Sequence, residues 1–282
     1  MTHSNPTLQI TVLVENTAGG RGLLGEHGIA FLLETDHHRL LFDTGQGMAL
    51  PHNAQQLGIS LRNLDAIVLS HGHYDHSGGL PALLEHTSQT DLYLHPAALE
   101  PKYSDRGDIG SPLQDEDSLK SRVRHLVWTD KVTEIVEGIW VTGPIPRQHP
   151  LEDTGGRFWR TENQTTRDTL PDDQALFAAT PQGWVVIFGC AHAGVINTLN
   201  YIASFTGADR FAAVIGGMHL LKASEPRIQA TLDCLKYYDV QVIGANHCTG
   251  LKAITTFWHE LRDRCIDCRV GTRLNFSQEG VD

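Results

Sequence analysis

The sequence His71-Gly72-His73-Tyr74-Asp75-His76 holds three imidazoles and one carboxylate within six consecutive positions. It directly follows an apolar segment, and Ser77-Gly78-Gly79 comes next. Imidazole nitrogens and carboxylate oxygens are ligands for zinc, iron and manganese, and the glycines permit the tight turns that bring such side chains together. His71 and His73 can bind a first ion, while Asp75 and His76 reach a neighbouring one. The segment therefore predicts a metal site, and a site for two ions.

Composition restricts the classes of partner. The chain has 282 residues, with 22 Lys and Arg against 33 Asp and Glu, which gives a net charge of -11. This balance argues against a general nucleic-acid surface and against binding to anionic membranes. No segment approaches the roughly 20 apolar residues of a membrane span, and residues 1–6 lack the blocks of a signal peptide. We expect a cytoplasmic protein that acts on a small molecule, in an oligomeric state that the sequence does not determine.

Domain organisation and cysteine usage are simple. No linker interrupts the chain, so residues 1–282 are predicted to form a single domain. Five cysteines in a long chain do not indicate a disulfide framework, and reduced thiols are expected. Cys265 and Cys268 have a metal-binding or redox spacing but lack a second pair. Cys190 and Cys248 stand beside His192 and His247.

The first part of the chain is predicted to be rich in strands. We expect strands at 8–14, 29–34, 39–42 and 66–69 and helices at 49–57 and 80–86. The strand at 66–69 delivers the histidine segment at its C-terminal end.

Two stretches with little periodicity, 96–124 and 143–173, are predicted to be long excursions from the core. The second contains cations and aromatic rings, namely Arg147, His149, Arg157, Phe158, Trp159, Arg160 and Arg167. This mixture suits an anionic, ring-containing substrate, and it also suits a solvated loop that is anchored by its tryptophan.

The last third alternates strands and helices. We expect strands at 184–188, 211–215 and 240–244 and helices at 195–205, 225–238 and 251–262. Each strand is followed by small residues and a histidine, and these histidines are His192, His219 and His247. Loops beyond the C-terminal ends of strands gather at one edge of an α/β fold, so all three should face the cleft of His71 to His76. At least one of them should complete the metal shell.

Together these features resemble the metallo-β-lactamase superfamily: a strand that closes on Asp43-Thr44-Gly45, the segment from His71 to His76, and later histidines after strands. The resemblance spans nearly the whole chain. It implies an αββα sandwich, in which two central mixed sheets are flanked by helices and a dinuclear site lies at one edge. Further motifs resemble the branch of dihydropterin-ribofuranosylaminobenzene phosphate synthase-like proteins: Glu26-His27-Gly28, residues 42–46, Asn53-Ala54, and residues 69–79, 172–176, 189–194, 216–220 and 247–250.

The resemblance also implies a set of ligands. His71 and His73 would bind the first ion, Asp75 and His76 the second, and His247 is the last ligand of the superfamily. Asp43 would orient a ligating imidazole from outside the shell.

The superfamily usually has a separate histidine before a hairpin and a bridging aspartate after a glycine. Here Asp172 or Asp173 occupies the former region, and Gly189-Cys190-Ala191-His192 the latter. His192 is the expected additional ligand, and Asp172 is the alternative. Two zinc ions are expected, but the lack of an evident bridging carboxylate leaves iron or manganese, and the number of ions, open.

Three functions follow from these motifs. The first is a metal-dependent hydrolase of a small, anionic, phosphoester-like substrate, in which the metal lowers the pKa of water to about 7. Asp75 would position that water, and His219 would donate a proton or bind phosphate, unless it simply hydrogen-bonds the backbone. The second is a dihydropterin-condensing synthase of a methanopterin-type pathway. The third is a diiron redox or sensor protein, for which Cys265 and Cys268 supply only half of a rubredoxin-type set.

Overall fold

The computed structural model describes residues 7–87, 89–113 and 115–277. Its centre consists of two sheets, one of seven strands and one of six. The first sheet has the order β15 (Arg273–Phe276), β1 (Leu8–Val14), β2 (Ala30–Glu34), β3 (Arg39–Phe42), β4 (Ala66–Val68), β5 (Asp91–Leu94), β8 (Leu126–Trp128). The second has the order β14 (Val242–Asn246), β13 (Phe211–Gly217), β12 (Gly183–Phe188), β11 (Ala175–Thr180), β10 (Ile139–Val141), β9 (Thr133–Val136). A separate two-stranded ribbon joins β6 (Tyr103–Ser104) and β7 (Gly107–Asp108).

Seven α-helices lie among the described residues. They are α1 (Ala49–Gln56), α2 (Tyr74–Ser77), α3 (Leu80–Leu84), α4 (Glu116–Lys120), α5 (Val195–Thr206), α6 (Glu225–Tyr237) and α7 (Leu251–Leu261). None of the helices in these ranges is long and apolar enough to cross a membrane.

The core between the sheets follows from the two-residue period of the strands. In β4, Val68 faces the central core and Ile67 faces the outer side. In β12, Ile187 points inward and Val186 points outward. The outer faces are covered by α1 and α3 on the first sheet and by α5, α6 and α7 on the second. Because both faces of each sheet are covered, the central strands read as nearly continuous apolar runs. The predicted αββα sandwich is confirmed.

Most predicted elements of the first and last thirds are present, with small shifts in their ends. The strand expected at 240–244 is β14 at Val242–Asn246, and β13 continues two residues beyond its predicted end. Several strands between residues 91 and 180 were not predicted, namely β5 and β8 to β11. The excursion at 96–124 is partly regular, since it holds the ribbon β6–β7 and α4, whereas 143–173 contains no helix or strand.

The two excursions pair with each other through their backbones. Tyr103 N donates to Trp159 O at 2.8 Å, and Trp159 N donates to Tyr103 O at 2.9 Å. Beside this bridge, the fully buried Lys102 Nζ lies 3.1 Å from Asp168 Oδ2 and 2.9 Å from Asp172 Oδ1. Lys102 thus contacts Asp168, which is 66 positions later in the sequence, and Asp172, which is 70 positions later.

Asp172 links this buried ion cluster to the histidine segment. Its second oxygen, Oδ2, accepts a hydrogen bond from Gly72 N at 2.8 Å. A side chain at position 72 would not fit, because a Cβ there would lie 2.1 Å from Ala98 O. Lys102, Asp172 and Gly72 thus fix the path of the backbone between His71 and His73.

We expect Lys102→Met to lower the free energy of unfolding by about 3–5 kcal/mol, because it removes the cation buried between Asp168 and Asp172 and leaves Asp168 only Arg160, 3.7 Å away. Urea denaturation measures the change. Lys120→Met is the matched control: Lys120 also pairs with a carboxylate, Glu116, but both side chains are about half exposed and solvent screens the pair, so this variant should leave the free energy of unfolding nearly unchanged. Equal losses in the two variants would contradict the role given to the buried cluster.

Candidate metal centre

The ends of parallel strands from both sheets meet at one edge of the sandwich. In the first sheet, β3 is followed by Asp43 and β4 by residues 70–76. In the second, β12, β13 and β14 run parallel and are followed by His192, His219 and His247 respectively. The three later histidines do lie beside the segment from His71 to His76, as the sequence predicts.

A buried carboxylate organises the first half of this centre. Asp43 Oδ1 accepts a hydrogen bond from Ser70 N at 2.7 Å, and its Oδ2 accepts one from Ser70 Oγ at 2.7 Å. The same Oδ2 lies 2.7 Å from His76 Nδ1. Ser70 Oγ is in turn 2.9 Å from His71 Nδ1. Asp43 therefore orients one imidazole directly and a second through Ser70, which leaves the Nε2 atoms of both rings turned toward the centre.

The second sheet approaches this network closely at Gly189. A Cβ at position 189 would lie 2.1 Å from Ser70 Oγ and 2.9 Å from Asp43 Oδ2, so only glycine fits. Several loops at this edge also hold strained backbone, with positive φ at Asp43 (59°), Ala191 (54°), His219 (46°) and His247 (50°). Such conformations persist where the surrounding structure fixes them, and they concentrate at functional sites.

His71, His73 and His192 form a buried group of three imidazoles. Their ligand atoms all lie within 4.8 Å of one another, and His71 Nε2 is 2.9 Å from His73 Nδ1. His192 Nδ1 is 2.8 Å from the carbonyl oxygen of Thr154, so its Nε2 remains available. Burial, followed by the neighbouring imidazoles, lowers the pKa of His71 and of His192 well below the usual value. Burial likewise lowers the pKa of His73. All three rings are therefore neutral, which is the form that binds a cation.

Asp75, His76 and His247 form a second, more strongly charged part of the centre. Asp75 Oδ2 lies 3.7 Å from His76 Nε2 and 3.4 Å from His247 Nε2. Burial lowers the pKa of His76, but the carboxylates of Asp75 and Asp43 outweigh it and raise that pKa to about 9. Burial would raise the pKa of Asp75, but His76 and His247 hold it well below its usual range. The local field thus favours positive charge, whether a proton or a metal ion.

Cys190 is the residue to which sequence reasoning gave no role. Its Sγ lies 3.2 Å from His76 Nε2 and 3.4 Å from Cys248 Sγ, and it belongs to three of the groups whose geometry could hold a metal ion. It lies in the segment where members of the superfamily usually have the bridging aspartate. Its position two residues before His192 could have indicated a metal ligand, because a thiolate is as good a zinc ligand as an imidazole.

Unsatisfied ring nitrogens test whether the centre fits a metal ion. The Nε2 atoms of His73, His192 and His247 are buried and have no hydrogen-bond partner. Each such buried polar atom costs about 1–3 kcal/mol when it is left without a partner. A cation would satisfy them, and the donor set of imidazole, carboxylate and thiol is the one that zinc uses. The residues present therefore fit a metal ion.

His219 and Phe158 lie over the group of three imidazoles. The rings of His219 and His192 are 4.3 Å apart, and Nδ1 of His219 is buried without a partner. Phe158, from the second excursion, lies 5.1 Å from the ring of His73 and 5.3 Å from that of His192. Phe158 thus forms an apolar wall beside these ligand atoms.

Other residues of the second excursion serve the fold. Arg147 donates to the carbonyl oxygens of His192, at 2.6 Å, and Leu170, at 2.9 Å. Trp159 is buried and anchors the excursion, and the guanidinium carbons of Arg157 and Arg167 lie 6.0 and 5.4 Å from its ring. Both arginines are exposed to solvent, and the guanidinium of Arg157 also lies 3.6 Å from Asp105 Oδ2.

Two predicted candidates lie outside the centre. Both carboxylate oxygens of Asp172 are engaged, by Lys102 and by Gly72 N. Cys265 and Cys268 are buried, and neither belongs to a metal-compatible group among the described residues.

Comparison with known proteins gives a consistent result. The family model described as the metallo-beta-lactamase superfamily matches residues 25–164. A relative from Methanocaldococcus jannaschii, named 7,8-dihydropterin-6-methyl-4-(beta-D-ribofuranosyl)-aminobenzene-5'-phosphate synthase, is 30% identical over 95% of this chain and 97% of its own length. The crystal structure of Tm1679, described as a metal-dependent hydrolase of the beta-lactamase superfamily, has a TM-score of 0.81 and 32% identity, covering 98% of this chain and 100% of that one.

Replacing Asp43 by asparagine tests the buried network in metal-free protein. The variant keeps the shape but loses the anion, so the free energy of unfolding should fall by about 1–3 kcal/mol near pH 6. Because the pKa of His76 is raised to about 9 from 6.5, its stabilisation is complete below pH 6.5 and is lost as the pH rises through 9.

The difference in unfolding free energy between the wild type and Asp43→Asn should therefore shrink between pH 6.5 and 9.5. Urea denaturation in the presence of a chelator measures it across that range. A difference that stays constant with pH would show that Asp43 does not set the protonation of His76.

Proposed function

Because the chain belongs to the metallo-beta-lactamase superfamily, we propose that it is a metal-dependent hydrolase of a small, anionic, phosphoester-like substrate. The main support comes from three ring nitrogens at one edge of the sandwich. The Nε2 atoms of His73, His192 and His247 converge there, and each is buried without a hydrogen-bond partner. The structural similarity to Tm1679, a metal-dependent hydrolase by its description, supports it.

The ligands divide into two sets. His71, His73 and His192 would hold a first ion through neutral ring nitrogens. Asp75, His76 and His247 would hold a second, with the thiol of Cys190 close to His76 Nε2 at 3.2 Å. These ligands are mostly imidazole nitrogens, with one carboxylate and one thiol. Such a set favours zinc over manganese, which prefers an all-oxygen shell.

A bound ion of this kind lowers the pKa of a coordinated water toward 7 and withdraws charge from a substrate oxygen. Asp75 has one oxygen within 3.4–3.7 Å of two imidazoles, so it would help to hold the ion and would accept a hydrogen bond from the attacking water. His219 lies beside His192, with a buried Nδ1 that has no partner. Burial and the charge of Arg227 lower the pKa of His219, but the neighbouring Cys248 outweighs them and raises it, so His219 can carry the proton that a leaving group needs.

The surroundings of the centre favour an anionic substrate with an apolar part. The chain as a whole is acidic, yet Arg157 and Arg167 extend into solvent from the excursion that also carries Phe158. Phe158 contacts two of the candidate ligand rings and offers a flat surface to a ring of the substrate. The two arginines would attract a phosphate group toward the metal ions.

Asp75→Asn and His219→Asn separate the two catalytic roles. In zinc-loaded protein we expect Asp75→Asn to reduce turnover of the best phosphoester by about 10²–10⁴-fold and to reduce the zinc content, because a ligand is weakened. His219→Asn should reduce turnover by about 10²–10⁴-fold but at full zinc content, because only proton transfer is lost. Zinc is measured by elemental analysis, and activity with phosphodiesters, phosphomonoesters, lactones and β-lactams.

His86→Ala, which changes an exposed histidine outside the centre, is the control and should match the wild type. Circular dichroism verifies that each variant is folded. Wild-type turnover by Asp75→Asn in metal-defined protein would overturn the mechanism. Turnover of β-lactams in preference to phosphoesters would overturn the substrate class.

A second candidate, a dihydropterin-condensing synthase, is favoured by the name of the relative that matches 95% of the chain. In that reaction the metal ions would bind a diphosphate, and Phe158 would stack on a pterin or aryl ring. A coupled assay with a hydroxymethyl-dihydropterin diphosphate and an aminobenzene riboside phosphate distinguishes the two. A joined product supports the synthase, whereas phosphate release without joining supports the hydrolase.

A further inference from the structure

We propose that His27 completes a solvent-facing cation subsite with Asp75 and His247, an inference that rests on the proposed metal-dependent function. Sequence reasoning gave His27 no role as a ligand. His27 would close the second of the two sets of ligands toward solvent.

The distances around Asp75 match those between ligands of one ion. Asp75 Oδ2 lies 3.3 Å from His27 Nε2 and 3.4 Å from His247 Nε2. The ligand atoms of the three residues all lie within 4.8 Å of one another. Ligand atoms that are each about 2.0–2.1 Å from a tetrahedral zinc ion are roughly 3.3 Å apart, so a single ion can bind all three.

The backbone on both sides of His27 is fixed. Gly28 N donates to Asn16 Oδ1 at 3.3 Å, and Ile29 N donates to the carbonyl oxygen of Asp75 at 3.3 Å. A Cβ at position 28, where φ is 151°, would lie 2.5 Å from that same carbonyl, so glycine is required for the close approach. These contacts hold His27 next to Asp75 although its own ring is exposed.

Glu26 fixes the other side of the loop. Its buried carboxylate accepts hydrogen bonds from the backbone amides of Gln46, at 2.8 Å, Met48, at 3.0 Å, and Ala49, at 2.9 Å. The loop is thereby tied to the start of α1. The position of the His27 imidazole is thus set by a backbone anchored on both sides.

The ring nitrogen of His247 gives an independent indication of a ligand here. Its Nδ1 is 3.0 Å from Asn16 Oδ1, whereas its Nε2 is buried without a hydrogen-bond partner and is directed toward Asp75. The His247 side chain is 1% exposed, and that of His27 is 56% exposed. A cation between them would satisfy the buried nitrogen and would be reached from solvent on the side of His27.

This exposure distinguishes the two proposed cation positions. His71, His73 and His192 are buried on all sides, so an ion bound there exchanges slowly. An exposed imidazole can leave its ion more readily and give its place to an anionic group of the substrate. We therefore expect one tightly and one weakly held cation, with His27 determining the affinity of the weaker one.

The test compares His27→Ala and His27→Gln with His52→Ala. His52 is a partly exposed histidine of α1 whose Nε2 contacts the carbonyl oxygen of Gly22 and which belongs to none of the metal-compatible groups among the described residues, so its loss should leave metal binding unchanged. Zinc affinities are measured by competition with a chromophoric chelator, and the ligand shell by the visible absorption of the cobalt(II)-loaded proteins. Both His27 variants should bind the weaker zinc ion about 10–100-fold less tightly.

In His27→Ala and His27→Gln, the absorption spectrum of the weakly held cobalt ion should change. The spectrum of the tightly held cobalt ion should keep the wild-type form. Two ions bound to His27→Ala with wild-type affinities and an unchanged cobalt spectrum would overturn the assignment of His27, while the proposed function would stand. A wild-type protein that binds neither zinc nor cobalt would overturn the proposed function and this inference together.

Discussion

The centre depends on one buried carboxylate, Asp43, which receives hydrogen bonds from the backbone and the hydroxyl of Ser70 and contacts His76 Nδ1 at 2.7 Å. It joins the ends of two neighbouring parallel strands, β3 and β4, and Gly189 brings the end of β12 from the other sheet against it. A fully buried charge is tolerated only when its partners are all in place. Packing of the two sheets and orientation of the imidazoles are therefore parts of one arrangement.

Electrostatics separates the histidines of the centre into two kinds. Burial among other imidazoles lowers the pKa of His71, His73 and His192 and keeps them neutral. Two carboxylates raise the pKa of His76 to about 9, even though it lies only 4.2 Å, between ring centroids, from His71. The set of His71, His73 and His192 offers neutral donors, whereas carboxylates surround His76. Two ions bound to these sets would therefore have different affinities. The first set of histidines is also buried, whereas the second set is open to solvent at His27.

Much of this arrangement could be predicted from the sequence because its parts are local. Three imidazoles and a carboxylate within six residues indicate a metal site without knowledge of the fold. The alternation of strands and helices after residue 184 places His192, His219 and His247 at a common edge, since parallel strands all end on the same side. The structure has these strands, and the three histidines lie where the pattern puts them.

What could not be predicted depends on contacts between distant segments. Cys190 meets His76, 114 residues away, only because the ends of the two sheets face each other. Lys102 orders the two excursions by burying its charge between carboxylates 66 and 70 residues away, a contact that leaves no periodic pattern in the sequence. Arg147 looks like an anion-binding residue in the sequence, but it is bound to two carbonyl oxygens of the fold.

We propose that this edge of the sandwich binds two metal ions, and locating the ions is the sharpest check. Anomalous diffraction from crystals of the zinc-loaded protein, collected on both sides of the zinc absorption edge, tests it most directly. We expect two peaks, one within about 2.0–2.1 Å of imidazole nitrogens of His71, His73 and His192, and one at the same distance from His247 Nε2 with Asp75 as a further ligand. The absence of either peak, or zinc bound only at Cys265 and Cys268, would show that this edge does not bind two ions.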